Sequence, residues 1–242
     1  MTSEVIVGER AHITMRRMKI YGVPFSVHTR KVIVAARWKS IAVEVVPVVP
    51  VIPDSPPPNW REISPTGLVP ALEDDGYRLA DSTAIVLYLE KKHPTPALIP
   101  NEPELFGTAL FLDAWAGSEL FRAIVHPLFH NQVVAPHMRK TTPDRGAIAR
   151  ALEEAAPAAF RYLESRRPER WLVGDALSIA DLAVASNLVM FRYLGHAIDP
   201  RAYPRLDAWF RAMCTGPIRV ALEAERPLVE TVPGLDPSTI ER

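Results

Sequence analysis

Ser64-Pro65-Thr66-Gly67-Leu68-Val69-Pro70-Ala71-Leu72-Glu73-Asp74-Asp75-Gly76-Tyr77-Arg78-Leu79-Ala80-Asp81-Ser82-Thr83-Ala84-Ile85 is the stretch on which the fold turns. Two short apolar runs, Leu68–Leu72 and Tyr77–Ala80, flank Glu73-Asp74-Asp75-Gly76 and predict two strands joined by an Asp-Gly turn. Ser82–Lys92 then takes a helical period and stops at His93-Pro94, since the residue before proline avoids the helical region. Upstream, Met18–Tyr21 alternates and runs into Gly22-Val23-Pro24, a strand followed by a loop. Val27–Ser40 places Val32, Ala35 and Ala36 at helical spacing, and Ile41–Val49 is β-branched and strand-like. Residues 50–60 hold five prolines in eleven positions and predict no regular structure. The order is β-α-β, irregular, β-β-α, a small α/β unit over residues 18–99.

Past the stiff connector Pro94-Thr95-Pro96-Ala97-Leu98-Ile99-Pro100 the strand signals stop. Leu105, Ala109, Leu112 and Ala116 keep helical period, as do Ile148, Ala151, Leu152, Ala155, Ala159, Tyr162 and Leu163. Ser178–Leu194, Tyr203–Cys214 and Ile218–Glu225 complete a second, all-helical domain, placed at residues 105–230. Pro127 and Pro136 are expected to disturb the helix that contains them. Residues 1–17 stand as an N-terminal extension.

Composition bounds the function. The chain has 242 residues, 48% of them hydrophobic and 23% charged, which excludes a disordered or fibrous protein. Twenty-eight basic residues balance twenty-eight acidic ones, so the footprint of a nucleic-acid or anionic-membrane binder is missing. No stretch approaches the roughly 20 apolar residues needed to span a bilayer, and the first residues carry acids and no apolar core of a signal peptide. The single cysteine, Cys214, excludes an intramolecular disulfide and a Cys-rich zinc site; late in a helix, it is read as a small buried hydrophobe. A cytoplasmic location is the expectation.

Four constellations carry chemistry. In Pro24-Phe25-Ser26-Val27-His28-Thr29-Arg30-Lys31-Val32 a hydroxyl stands between the first strand and the first helix. Ser26 is either an N-cap or a donor to an anion held at the helix N-terminus. In Gly67-Leu68-Val69-Pro70-Ala71 a proline opens a strand. A cis Val69-Pro70 bond costs only about 0.5–1 kcal/mol, although propensity alone favours trans. It would turn the Val69 N–H and C=O toward an extended, peptide-like ligand. Asp81-Ser82 precedes a helix, where the pair either caps it or holds the ammonium and carboxylate of an α-amino-acid headgroup. Ser178-Ile179-Ala180-Asp181 is a capping-box variant and is read as structural. His126, His130 and His137 have no acidic partner at matching spacing, so no metal site is expected.

With these motifs in this order, the chain resembles the cytosolic glutathione S-transferases over about Met18–Pro227. The resemblance implies a thioredoxin-like N-terminal domain and an all-helical C-terminal domain. Ser26 matches the hydroxyl that activates glutathione in the serine-type classes (phi, theta and related bacterial forms). Val69 and Pro70 match the family's cis-proline segment, which pairs with the cysteinyl part of glutathione. Asp81 and Ser82 match the pair that binds its γ-glutamyl group. Ser178–Asp181 and Tyr203-Pro204-Arg205-Leu206-Asp207-Ala208-Trp209 match late-helix signatures. The base that many members place near the second helix for the glycyl carboxylate is missing from Asp54-Ser55-Pro56-Pro57-Pro58. Lys39 is assigned to the glutathione site in its place, with Arg61 the alternative. Position 26 is Ser and not Cys, which argues against the branches that form mixed disulfides.

The implied activity is transfer of glutathione, as thiolate, to a hydrophobic electrophile, a detoxification chemistry needing no metal or redox cofactor beyond glutathione as co-substrate. Residues among Phe111, Trp115, Leu120 and Phe121 are expected to line the electrophile site. A homodimer is implied by the family. Two rivals are a glutathione-dependent peroxidase using the same site and a non-catalytic binding or scaffold protein of the same fold.

Overall fold

The computed structural model describes residues 18–166 and 168–241; the expected extension at 1–17 lies outside the described residues. The first half runs β1 (Met18–Tyr21), α1 (Val27–Trp38), β2 (Val43–Val46), a single helical turn α2 (Trp60–Ile63), β3 (Ala71–Asp74), β4 (Tyr77–Ala80) and α3 (Ser82–Lys92). The strands form one mixed sheet in the order β2-β1-β3-β4. β1 lies parallel to β2 and antiparallel to β3, and β3 and β4 form the hairpin the Asp-Gly pair foretold. Asp75 at φ 52° and Gly76 at φ 88° are both left-handed, as a tight hairpin turn requires.

Two local readings differ from the expectation. The strand expected over Leu68–Leu72 begins only at Ala71. Ser64 Oγ donates to the Leu68 carbonyl at 2.7 Å and Trp60 Nε1 to the Gly67 carbonyl at 3.1 Å, which holds the preceding loop away from the sheet. A helical turn, Trp60–Ile63, begins at the last residue of the 50–60 segment expected to be irregular. Trp60 and Ile63 bury themselves with Tyr21, Val48 and Ala71 in a small satellite core.

From Pro103 onward the described chain is helical between its loops. α4 (Pro103–Trp115) continues unbroken through a wider, π-type stretch Ala116–Val125, the α5 turn (His126–Phe129) and a second π-type stretch His130–Arg139. Pro127 and Pro136 were expected to disturb this helix, and its winding is irregular around both: Pro127 falls in the short α5 turn between the two π-type stretches and Pro136 inside the second. α6 (Arg145–Ala149) passes through Arg150–Ala155 into α7 (Ala156–Ser165), followed by α8 (Ile179–Tyr193), α9 (Pro204–Thr215), α10 (Arg219–Val229) and a 3₁₀ turn Pro237–Glu241. None of the helices among the described residues is long and apolar enough to cross a membrane.

α8 is the central pillar, buried along nearly its whole length. Its start is fixed by Asp181, whose Oδ2 accepts from the Ser178 N–H at 2.9 Å and hydroxyl at 2.8 Å while Oδ1 accepts from Leu172 N–H and Trp209 Nε1. This is the structural role read from Ser178–Asp181. The acid stays buried, and desolvation pushes it above the usual carboxylate range in spite of these four bonds.

α1 joins the halves. It packs on α3 within its own unit and on α8 and α10 of the other. Two successive cations on it are buried: Arg30 pairs with Glu225 at 2.8 Å, and Lys31 with Asp113 at 2.7 Å. Arg30 also donates to the carbonyls of Ser186 and Phe25, and Tyr193 donates its hydroxyl to Glu225. Removing one member of a buried pair leaves the other charged and unanswered, at a cost of about 3–5 kcal/mol. Glu225→Gln, which keeps the side-chain shape, is therefore expected to destabilise the fold by about 3 kcal/mol or more. Urea unfolding followed by far-ultraviolet circular dichroism measures this, and a loss under about 1 kcal/mol would show the pair to be dispensable.

Candidate active site

The sheet register brings the expected site residues to one edge. Tyr21 pairs with Ala71 and Ala71 with Ala80. The loop leaving β1, the loop entering β3 and the loop leaving β4 therefore emerge side by side, carrying Ser26, Val69-Pro70 and Asp81 respectively.

The chain turns tightly after β1. Gly22 has φ 148°, and a Cβ there would stand 2.5 Å from Thr29 Oγ1, so only glycine lets the loop lie against the first turn of α1. Thr29 Oγ1 is buried there with no hydrogen-bond partner among the described residues. Ser26 is the N-cap by backbone geometry, at φ −61° and ψ 131°, and its carbonyl accepts from Arg30 N–H at 2.8 Å. Its hydroxyl makes no capping bond, and the first turn of α1 has no acidic side chain. The plain capping reading of Ser26 is thus not what the hydroxyl does. A half-buried oxygen is left beside unanswered helix N–H groups, an arrangement that favours an anion.

Val69-Pro70 is cis. The loop is pinned on its N-terminal side by the Gly67 and Leu68 carbonyl contacts described above. The Val69 N–H and C=O take no hydrogen bond among the described residues.

At Asp81 the two readings coexist. Its Oδ1 accepts from Thr83 N–H at 2.9 Å and Ala84 N–H at 3.0 Å, so Asp81 caps α3. It does so at φ 80°, uncommon for a residue with a Cβ. Its side chain is exposed, and only one carboxylate oxygen is used in the cap; Ser82 is the first residue of α3 and is buried.

Lys39 is placed elsewhere. Its ammonium is fully buried and bonds Glu90 at 2.6 Å, the His93 carbonyl at 2.8 Å and the Pro96 carbonyl at 2.7 Å. An ammonium has three donors, and all three are spent tying the end of α1 to α3 and to the segment that follows it. Lys39 is a structural clamp and not an anion ligand. Arg61, the alternative, is exposed. Its guanidinium lies over Gly67, where a Cβ would meet it at 2.7 Å, and donates to the Pro65 carbonyl at 3.1 Å.

Of the four aromatic and aliphatic residues expected at an electrophile site, Phe121 alone makes a described contact with α1. Its ring meets the edge of His28 at 4.8 Å between centroids, inclined at 61°. Leu120 is buried in the core, and Trp115 packs edge-on against Tyr162 of α7 at 5.2 Å. Both line a groove of about 300 Å³ with Ala155 and Ala159, on the α7 side of the long helix. Phe111 is exposed, 54% of its surface open to solvent. The period of the long helix made all four look alike, although only Leu120 and Phe121 lie in its first π-type stretch.

His28 is the group that sequence spacing underrated. It lies in the first turn of α1, faces Gly117 across the two halves and is covered by Phe121. Burial, and Lys31 beside it, hold its imidazole down to about 4, although Asp81 and Asp113 pull the other way. On the far side of Phe121 lie His126 and His130, stacked at 6.1 Å. Among the described residues no three His, Cys, Asp or Glu side chains converge as metal ligands would.

Comparison with known proteins bears on the same residues. A family model described as the glutathione S-transferase N-terminal domain matches residues 20–97, and one for the C-terminal domain of that family matches 145–212. Glutathione S-transferase F13 of Arabidopsis thaliana is 27% identical over 202 residues, covering 83% of this chain and 92% of its own length. A crystal structure of a glutathione S-transferase from Rhodospirillum rubrum superposes with a TM-score of 0.78 at 24% identity, covering 93% of this chain and 98% of that one. The theta class enzyme of Xanthomonas axonopodis pv. citri, solved with glutathione bound, gives a TM-score of 0.70 at 25% identity, over 83% of this chain and 94% of that one. An α/β unit that gathers its loops at one sheet edge, followed by an all-helical unit bolted to α1, is matched by family models in both halves: the chain belongs to the glutathione S-transferase family.

Proposed function

We propose that this chain is a glutathione transferase that binds glutathione across the loops of Ser26, Val69 and Asp81 and adds its sulfur to a hydrophobic electrophile. The observation that carries this reading is the uncommitted Ser26 hydroxyl at the N-terminus of α1, on the edge where Asp81 and the cis Val69-Pro70 loop also emerge. The ammonium of the γ-glutamyl group pairs with Asp81, with Ser82 beside it. The Val69 backbone pairs with the cysteinyl amide, as one extended strand pairs with another. Arg61 takes the glycyl carboxylate, since Lys39 is occupied.

A free thiol titrates near 8.5. A donated Ser26 hydrogen bond and the α1 N-terminus stabilise the thiolate and lower that value. Proximity and an apolar wall, to which Phe121 contributes, supply the rest. The homodimer and the cytoplasmic location rest on the family resemblance alone and belong to this proposal. A second reading, binding of glutathione without turnover, is favoured by the commitment of Lys39, which leaves the glycyl end with a single exposed arginine. Retention on immobilised glutathione with no turnover of any electrophile is the result that would select it.

Ser26→Ala tests the first reading. Because the hydroxyl caps nothing, stability is expected to change by less than about 0.5 kcal/mol. The kcat at neutral pH is expected to fall by about 10²-fold, with the deficit shrinking as pH rises. A pH–rate profile with a chromogenic aryl halide decides it, and a profile identical to wild type removes Ser26 from the chemistry.

Asp81 carries both a cap and a charge, so two variants separate them. Asp81→Asn retains an oxygen for the Thr83 and Ala84 N–H groups and loses only the charge, and is expected to raise the KM for glutathione about tenfold or more with little loss of stability. Asp81→Ala is expected to add a stability loss of about 1 kcal/mol. Equal KM values for wild type and Asp81→Asn would take Asp81 out of the glutathione site.

A further inference from the structure

The charges of this chain cancel in sum but not in place. Residues 122–150 hold five cations, Arg122, Arg139, Lys140, Arg145 and Arg150, against a single acid, Asp144. Asp144 is committed, since its Oδ1 accepts from Ala147 N–H at 3.0 Å and caps α6. The five cationic side chains are exposed and take no hydrogen bond or ion pair among the described residues. Elsewhere on the surface Arg78, Arg211 and Arg219 answer Glu73, Asp207 and Glu223 at 3.0, 2.8 and 3.1 Å.

Two of the five stand at a groove. Arg122 of the long helix and Arg150, one residue past α6, both line a cleft of about 530 Å³ that also holds Pro127 and Ala151. Glu154 is the one acid in its lining, and it makes an ion pair with neither arginine. Ala123 and Ala155 line this cleft and also the groove of Trp115, Leu120 and Ile124, so the two are continuous. From Trp115 to Pro127 they run about 18 Å, at 1.5 Å per residue of helix, the reach of about five residues of extended chain. One end is apolar and the other is cationic.

We propose that this groove docks a short acidic segment of a partner protein, with carboxylates at Arg122 and Arg150 and an apolar side chain in the slot of Trp115 and Ile124. Arginine suits the role, because its planar guanidinium takes a carboxylate through two parallel N–H bonds. Cations with no internal partner meet an incoming acid without first giving up a pair, and their field steers its approach. The apolar slot beside them adds a buried anchor. Other polyanions fit less well. A lipid surface calls for several large apolar side chains to enter it, and single-stranded nucleic acid for open aromatic rings on which bases stack. Over residues 115–160 Met138 alone of the large apolar side chains is exposed. Neither the occupant nor its test involves glutathione, so the transferase reading and this one fail separately.

The test is fluorescence anisotropy of the fluorescein-labelled peptide Leu-Ala-Glu-Ala-Glu-Glu titrated with the full chain. Saturable binding is expected, and the same peptide with Gln in place of each Glu is expected to bind at least about tenfold more weakly. The double variant Arg122→Ala/Arg150→Ala is expected to lose at least about tenfold in affinity for the acidic peptide. Arg161→Ala/Arg205→Ala, which removes two exposed cations from a separate groove beside α9, is expected to bind as wild type does. Circular dichroism checks that both variants are folded, and the Gln peptide keeps the test decisive if one is not. No saturable binding, equal binding of the Glu and Gln peptides, equal binding by the two double variants, or tighter association with phosphatidylglycerol vesicles than with the peptide would each overturn the inference. So would a lower sedimentation coefficient for Arg122→Ala/Arg150→Ala than for wild type, since the groove would then be a contact between two copies of this chain.

Discussion

The position of α1 depends on two neighbouring charges taken out of water. Arg30 and Lys31 follow one another in sequence and, a helix turning 100° per residue, leave it in different directions. Arg30 reaches Glu225 and the carbonyls of Ser186 and Phe25, and Lys31 reaches Asp113 and Thr83. Desolvation pushes Glu225 upward, with Arg30 and Tyr193 pulling it back. Such pairs add little stability compared with well-packed apolar side chains, and their value lies in tolerating few alternative arrangements. Fixed at two azimuths, α1 can neither roll nor slide against the helical unit. Its first turn, with Ser26 and His28, is held against Gly117 and Phe121 by that constraint.

The same loops that end the strands make the site, which explains why capping and binding compete there. Ser26 and Asp81 occupy equivalent places, each at the entry to a helix. Asp81 bends into the left-handed region and caps α3 with one oxygen, whereas Ser26 leaves its hydroxyl unspent. Both helices start at the sheet edge where the site lies, and of the two it is α1 that goes without a side-chain cap. A free-energy loss in the empty protein is thereby available as a gain when an anion arrives.

Much of this was legible in the residues. Apart from the α2 turn and the late start of β3, the strands and helices up to Lys92 follow from period, from Asp75-Gly76 and from His93-Pro94, because each is a local matter of sterics. Ser26, Val69, Pro70, Asp81 and Ser82 could be named because each lies beside a strand or helix end, where sequence punctuation is strongest. What escaped the reading is long-range. Arg30 and Glu225 are 195 residues apart in sequence and no periodicity links them. Lys39 looked available because a cation near α2 was needed, and nothing local revealed that Glu90, His93 and Pro96 would take all three of its protons. Pro127 and Pro136 were read as disturbing the helix because proline removes a bond from it; that the disturbance takes the form of π-type stretches around a short α turn is something sequence does not announce. Nor does the period announce that Trp115 and Leu120 line a groove against Ala155 and Ala159.

The central claim is that this protein holds glutathione as a thiolate by means of the first turn of α1. Ultraviolet difference titration of the sulfur in the wild-type complex measures that directly, since thiolate and thiol absorb differently. The account predicts an apparent pKa at least about one unit below the 8.5 of a free thiol. A bound thiol that titrates at the free value would contradict it.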